Sequence, residues 1–205
     1  MKIENVETRI ATGKLEYRAE GEMPVISGYA AVFNSRSVEL WGFCEEIMPG
    51  AFTATLNIGP DVRATIDHAG GLTTIGRTRN GTLALMEDET GLRVEIRPPA
   101  TQAGRDVVEL VRRGDVNQMS FMFRVKRESW GKLADGMVIR QLHEIELEDG
   151  DVSIVSYPAY PATSAEVRAK FAAMSQTDMA LSTPGATGGL VALRLKRLQL
   201  NLYEV

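Results

Sequence analysis

The side chains that could do chemistry in this chain of 205 residues are few. There are two histidines, His68 and His143, and one cysteine, Cys44. A serine hydroxyl attacks a carbonyl at neutral pH only beside a base. That base needs a third group to fix its tautomer and stabilise its charged form. Both histidines are therefore candidate bases, and the serines and Cys44 are candidate nucleophiles. Among the serines, Ser120 stands out by its setting. In Gln118-Met119-Ser120-Phe121-Met122-Phe123-Arg124-Val125, Met119, Phe121, Phe123 and Val125 alternate with Ser120, Met122 and Arg124. A period of two predicts a strand with one face on a core. Ser120 is then either a nucleophile on a rigid scaffold or a small polar filler.

His68 follows a short predicted strand at Val62 to Ile66 and precedes Gly70-Gly71, so it can face a cleft from a strand end. His143 sits inside an alternating segment, with Gln141 and Ile145 on its side. A third group could come from the acidic cluster Glu144, Glu146, Glu148, Asp149 and Asp151. Asp151 is the best placed, because it is the first residue of the apolar run Val152-Ser153-Ile154-Val155. Asp67 adjoins His68, but neighbouring side chains on a strand diverge.

The elements that must position these groups read as one α+β domain. Strands are predicted at Val25 to Phe33, Val62 to Ile66, Leu72 to Thr78, Thr82 to Glu87 and Leu92 to Ile96. Others follow at Met137 to Ile145 and Val152 to Val155. Asn80-Gly81 signals a hairpin between the third and fourth of these. Pro49-Gly50-Ala51-Phe52 opens a short helix, with Phe52 and Leu56 four apart. A second helix runs from Asp106, its cap, to Gly114, its terminator, with Val107, Leu110 and Val111 on the buried side. Residues 127 to 136 read as a loop carrying Trp130. The strands are short and expected to pair antiparallel around one or two helices.

The residues divide into a lead-in over 1–23, a compact domain over 24–174, a linker over 175–189 and a tail over 190–205. A helix is predicted over Ser164 to Met174, with Ser164 as its cap. The linker is small, polar and glycine-rich. The tail is leucine-rich, and Arg194, Lys196 and Arg197 make it locally basic. It reads as a detachable interaction segment.

Composition excludes several classes. A formal charge of −4 and a pI of about 5.4 give no support for nucleic-acid binding. One cysteine allows neither an intrachain disulfide nor a cysteine-based zinc site, and Cys44 reads as a free buried thiol. No metal cluster or phosphate loop is visible, so no cofactor is expected. No apolar run approaches a membrane span and the N-terminus lacks a signal-peptide core, so a soluble cytoplasmic protein is expected.

Several blocks, in this order, resemble the prohead proteases of tailed bacteriophages, the HK97-type capsid maturation serine proteases. They are Gly28 to Asn34, Glu46 to Phe52, Asp67-His68, Ile75 to Thr78 and Asp88 to Leu92. Asp106 through Gly114 leading into Met119-Ser120-Phe121 comes next, then Asp151 to Val155 with Pro158 to Pro161. The similarity runs from about Ser27 to Ala165. It implies that His68 is the general base and Ser120 the nucleophile. Asp151 stands where the family commonly has a glutamate, and takes the orienting role with a side chain one methylene shorter. Glu148 is the reserve. Gln118 stands two before Ser120, where many relatives have the chain Gly-Met-Ser.

The family is also similar to the herpesvirus capsid-maturation proteases, which implies a mainly antiparallel closed β-barrel ringed by a few helices. The order His68, Ser120, Asp151 matches their plan. The resemblance further implies a serine endopeptidase that cleaves the scaffolding protein, or the scaffold-like N-terminal segment of the coat protein, and itself. It would act in the host cytoplasm and then inside the procapsid, with a homo-oligomer as a further expectation. The oxyanion would be held by a backbone N–H, with Arg112, Arg113 or Arg124 as possible assistants. The competing readings are an inactive assembly protein of the same fold and a hydrolase acting on a small ester or amide. The second lacks the Gly-x-Ser-x-Gly elbow.

Overall fold

The alternation around Ser120 belongs to a strand of 15 residues, Gln118–Lys132, around which the larger sheet is built. The structure, a computed structural model, describes residues 6–11, 15–20, 23–40, 42–69 and 71–156. Among these the strands are β1 (Glu7–Ala11), β2 (Glu16–Glu20), β3 (Met23–Val32), β4 (Phe43–Ile47), β5 (Arg63–Ile66) and β6 (Gly76–Arg77). They continue as β7 (Leu83–Glu87), β8 (Gly91–Ile96), β9 (Gln118–Lys132), β10 (Val138–Glu146) and β11 (Asp151–Val155). Helix α1 spans Thr53–Asn57 and α2 spans Gln102–Arg113. The expected helix at Ser164, the linker and the tail lie outside the described residues.

The α+β reading holds, but the closed barrel does not. Seven strands form one sheet in the order β4-β10-β9-β11-β5-β6, with β1 also on β9, and β2-β3-β8-β7 form a second. The larger sheet ends at β4 on one side and β6 on the other. A barrel needs each edge to find a partner. β6 has two residues, too few for a ladder to a further strand. The barrel was an expectation from resemblance, and no residue pattern in the chain demanded it. Nor is the pairing wholly antiparallel: β10 runs parallel to β4 and β11 parallel to β5.

Four local expectations change for physical reasons. The strand expected over Leu72 to Thr78 is reduced to Gly76–Arg77, because 3₁₀ turns at Gly71–Thr73 and Thr78–Asn80 take the backbone on either side. Gly81 does turn the chain, at φ +67°, but it closes a single 3₁₀ turn. The strands on either side join different sheets, so no hairpin forms there. Helix α2 starts earlier than Asp106, because Thr101 accepts the Gly104 N–H and caps it. Gly104 is there for space: a Cβ would lie 2.0 Å from the Pro99 carbonyl oxygen. The Trp130 segment is strand, since Arg127–Lys132 pairs with β10.

One apolar cluster joins both sheets. Ile26, Leu92, Val94 and Ile96 of the smaller sheet meet Met119, Phe121, Phe123, Val152 and Ile154 of the larger one. Phe52 packs edge-on against Phe121 with ring centroids 6.0 Å apart. Each such ring is fully or nearly fully buried, and truncating one would cost about 3–5 kcal/mol. The alternation read from sequence is therefore what fixes Ser120 on the opposite side of β9.

A second buried group is charged. Arg140 of β10 donates to Glu7 of β1 at 2.7 Å, Glu45 of β4 at 2.8 Å and Glu128 of β9 at 2.7 Å. Arg9 of β1 bonds Glu45 at 2.6 Å and Glu7 at 2.6 Å. Burial alone would raise the Glu7 carboxyl. Hydrogen bonds from Arg140, with the charges of Arg9 and Arg140, outweigh it and hold Glu7 below its ordinary value. This cluster ties β1, from the stretch read as lead-in, to the middle of the larger sheet. The thiol of Cys44 is buried and free, and burial pushes its pKa up.

Candidate active site

Three strands place polar side chains in one row. Ser120 of β9 lies opposite Ser153 of β11, and Ser153 lies opposite Thr65 of β5. On the other side, Ile10 of β1 lies opposite Ser120. Asp151 is two residues before Ser153, so it projects from the same face. Cross-strand register alone thus gathers Ser120, Ser153, Thr65 and Asp151.

His68 reaches this face from the turn that ends β5. Its Nδ1 lies 2.8 Å from Asp151 Oδ1 and its Nε2 lies 2.7 Å from Ser120 Oγ. A carboxylate only accepts, so Nδ1–H donates to Asp151 and Nε2 keeps its lone pair for the Ser120 proton. Thr65 Oγ1 donates to the other carboxylate oxygen, Oδ2, at 2.8 Å. Asp151 is therefore held by two donors, and its shorter arm reaches. Ser153 Oγ accepts the His68 main-chain N–H at 2.8 Å and donates to the Thr65 carbonyl at 3.2 Å. His68 is thus gripped through its main chain as well as its ring.

The turn itself is unusual. Asp67 and His68 both have positive φ, +47° and +54°. Left-handed backbone at a non-glycine residue costs of order 1–3 kcal/mol and persists only where the surroundings over-determine it. Here Asp67 N–H bonds the Ile154 carbonyl at 2.9 Å and Ala69 N–H bonds the Ile66 carbonyl at 2.9 Å.

Ser120 is wholly buried, while 18% of the His68 side chain is exposed. The Ser120 hydroxyl also meets the Arg9 main-chain carbonyl at 2.9 Å. Its single proton has two acceptors, His68 Nε2 and Arg9 O.

The other residues singled out in the sequence lie elsewhere. His143 Nε2 is 2.7 Å from Ser129 Oγ on an exposed part of the β9–β10 ladder. Glu148 accepts the Asp61 N–H at 3.1 Å. Arg112 pairs with Glu109 and Arg113 with Asp115 on exposed surface. Arg124 donates to the Glu148 carbonyl at 3.0 Å. A cavity of about 350 Å³ bounded by Leu56, Asp61, Arg79 and Glu148 shares no residue with the His68 cluster. Among the described residues no group of three metal-ligating side chains occurs, and no helix is long and apolar enough to cross a membrane.

Thr65 and Ser153 each have a signal in the sequence. Ser153 shares a period-two face with Asp151, and Thr65 lies within the strand that leads to His68. The Arg9 carbonyl had no sequence signal, because any residue supplies one.

The family described as Caudovirus prohead serine protease matches residues 8–178. Among solved structures, the bacteriophage T4 capsid assembly protease is similar at 8% identity and a TM-score of 0.45. The alignment covers 73% of this chain and 98% of that one. No curated protein matches.

Proposed function

Because the chain belongs to the Caudovirus prohead serine protease family, we propose that Ser120 is its nucleophile, His68 its general base and Asp151 the orienting acid. The protein is a serine endopeptidase of phage procapsid maturation. The observation that supports the residue roles is the His68 ring, bonded at 2.8 Å to Asp151 through one nitrogen and at 2.7 Å to Ser120 through the other.

The reaction follows from those contacts. Ser120 Oγ attacks the substrate carbonyl carbon as its proton passes to His68 Nε2. Asp151 holds the Nδ1–H and stabilises the imidazolium. The C–N bond breaks as His68 returns the proton to the leaving amine, giving an acyl-enzyme and a new amino terminus. Water then attacks, giving its proton to His68, and the ester bond to Ser120 breaks as Oγ regains a proton. Thr65 holds the Asp151 carboxylate by its other oxygen. Since Ser120 is wholly covered and His68 is partly exposed, substrate approaches past the imidazole and displaces part of that cover.

The substrate class we assign is the scaffolding protein, or the scaffold-like N-terminal segment of the coat protein, together with the protease itself. The site of action is the procapsid interior. The leucine-rich basic tail, set off by a glycine-rich stretch, suits a scaffold-binding segment released by self-cleavage. Co-expression of capsid and scaffold components with wild-type protein or Ser120→Ala tests this reading. Processing is expected with the wild type alone. Equal processing by both would remove Ser120 from the mechanism.

A further inference from the structure

The turn that carries His68 is strained at two consecutive residues, and nothing in the proposed reaction explains what holds it. The bonds around Asp67 supply a holder. Its carboxylate accepts the Ser156 N–H at 2.9 Å through Oδ1, and the Ser156 hydroxyl at 3.1 Å through both Oδ1 and Oδ2. Its own N–H bonds the Ile154 carbonyl at 2.9 Å. Ser156 directly follows β11, the strand that carries Asp151 and Ser153. The His68 turn is therefore fastened to the Asp151 strand at three points: Ser153 under the His68 N–H, Ile154 under the Asp67 N–H, and Ser156 under the Asp67 side chain.

We infer that Asp67 is a positioning residue, a latch that fixes the distance from His68 to Asp151 and Ser120 by binding the end of β11. This rests on His68 being the base. Asp67 spends its carboxylate on Ser156, while the imidazole takes Asp151, so Asp67 is not a second orienting acid. Its carboxylate points along the turn toward Ser156. Strands β5 and β11 are parallel neighbours, so sliding of one against the other would carry the base away from its acid. The latch sits where that sliding would begin. A base misplaced by an ångström costs on the order of 100-fold in rate.

Three substitutions separate the latch from its alternatives. Asn tolerates left-handed backbone and keeps an Oδ1 acceptor for Ser156. Gly removes both the strain and the latch. Ala removes the latch and keeps the strain. The measurement is the rate of covalent labelling by a fluorophosphonate, per folded molecule as judged by near-UV circular dichroism. It is read beside kcat and KM on a processed peptide and the NMR resonance of the His68 Nδ1 proton. The expected result is Asp67→Asn within about 3-fold of wild type, with Asp67→Gly and Asp67→Ala slowed about 10-fold or more. The loss should fall in kcat with KM unchanged, and the Nδ1 proton should broaden or move. Asp67→Gly as fast as wild type would overturn the latch, since the carboxylate would then hold nothing the reaction needs. Asp67→Asn as slow as Asp67→Ala would also overturn it, by showing that charge and not the Ser156 bonds matters. Failure of the wild type to label would sink the His68–Ser120 reading and the latch with it.

Discussion

Each of the chain's two histidines holds a serine of the same strand at the same distance. His68 Nε2 meets Ser120 Oγ at 2.7 Å, and His143 Nε2 meets Ser129 Oγ at 2.7 Å. By that distance alone the two pairs are equivalent. They differ in everything behind the histidine. His68 has Asp151 on its far nitrogen, Thr65 behind Asp151 and Ser153 under its main chain. Among the described residues His143 has no carboxylate on its ring, and Ser129 is exposed. A solvated serine–histidine bond competes with water and leaves the imidazole free to turn. What distinguishes the Ser120 pair is the support that fixes tautomer and orientation, and that support comes from the register of three strands.

The comparison can be broken most directly at the pairs themselves. Ser120→Ala and His68→Ala should each lower kcat on the order of 10⁴-fold or more. Ser129→Ala and His143→Ala should stay within about 3-fold of wild type on the same peptide. A large loss at His143 would erase the distinction. Next in size is the far nitrogen. Asp151→Asn should cost about 10⁴-fold in kcat, because an amide that donates to Nδ1 favours the wrong tautomer. A loss under 10-fold would mean that orientation comes from elsewhere.

The charged cluster supplies a different contrast, because Glu128 sits next to Ser129 and serves structure. Arg140→Leu leaves Glu7 and Glu45 buried with less compensation and should destabilise by about 3–5 kcal/mol in urea unfolding. Turnover per folded molecule should stay near wild type. Thr65→Val sharpens the catalytic side. It removes one hydrogen bond to the Asp151 carboxylate, worth about 1.5–3 kcal/mol. That predicts a fall in kcat of about 10-fold or more with little change in KM.

The smallest expected effect is on acid stability. The folded-state pKa of Glu7 lies below its unfolded value of 4.5. Its stabilisation is therefore present above that value and is lost as pH falls through the folded pKa. Unfolding midpoints measured from neutral pH downward should decline below about pH 4.5. Glu7→Gln should flatten that decline. A decline as steep as the wild type's would show that other carboxylates carry it.

Much of this arrangement was legible in residues. The Met119-Phe121-Phe123 alternation put Ser120 on the face away from the core. The apolar run after Asp151 placed that acid at the start of a strand. Glycine after the helix gave its left-handed end at Gly114. What was not legible depended on contacts distant in sequence. Nothing in Gly76-Arg77 announces a strand of two residues that leaves the sheet open. Nothing near Asn80-Gly81 tells a hairpin from a crossing between sheets. The fastening of Asp67 to Ser156 joins residues 89 apart, and no local pattern reports it. The cluster of Glu7, Arg9, Glu45 and Arg140 is likewise invisible locally, since charged residues are expected at the surface.

The central claim is that only one of the two serine–histidine pairs is chemically competent. Fluorophosphonate labelling of the full chain, followed by peptide mapping of the adduct, tests it most directly. A single adduct on Ser120, lost in His68→Ala and unchanged in His143→Ala, is the predicted result. An adduct on Ser129, or labelling of Ser120 that persists in His68→Ala, would contradict it.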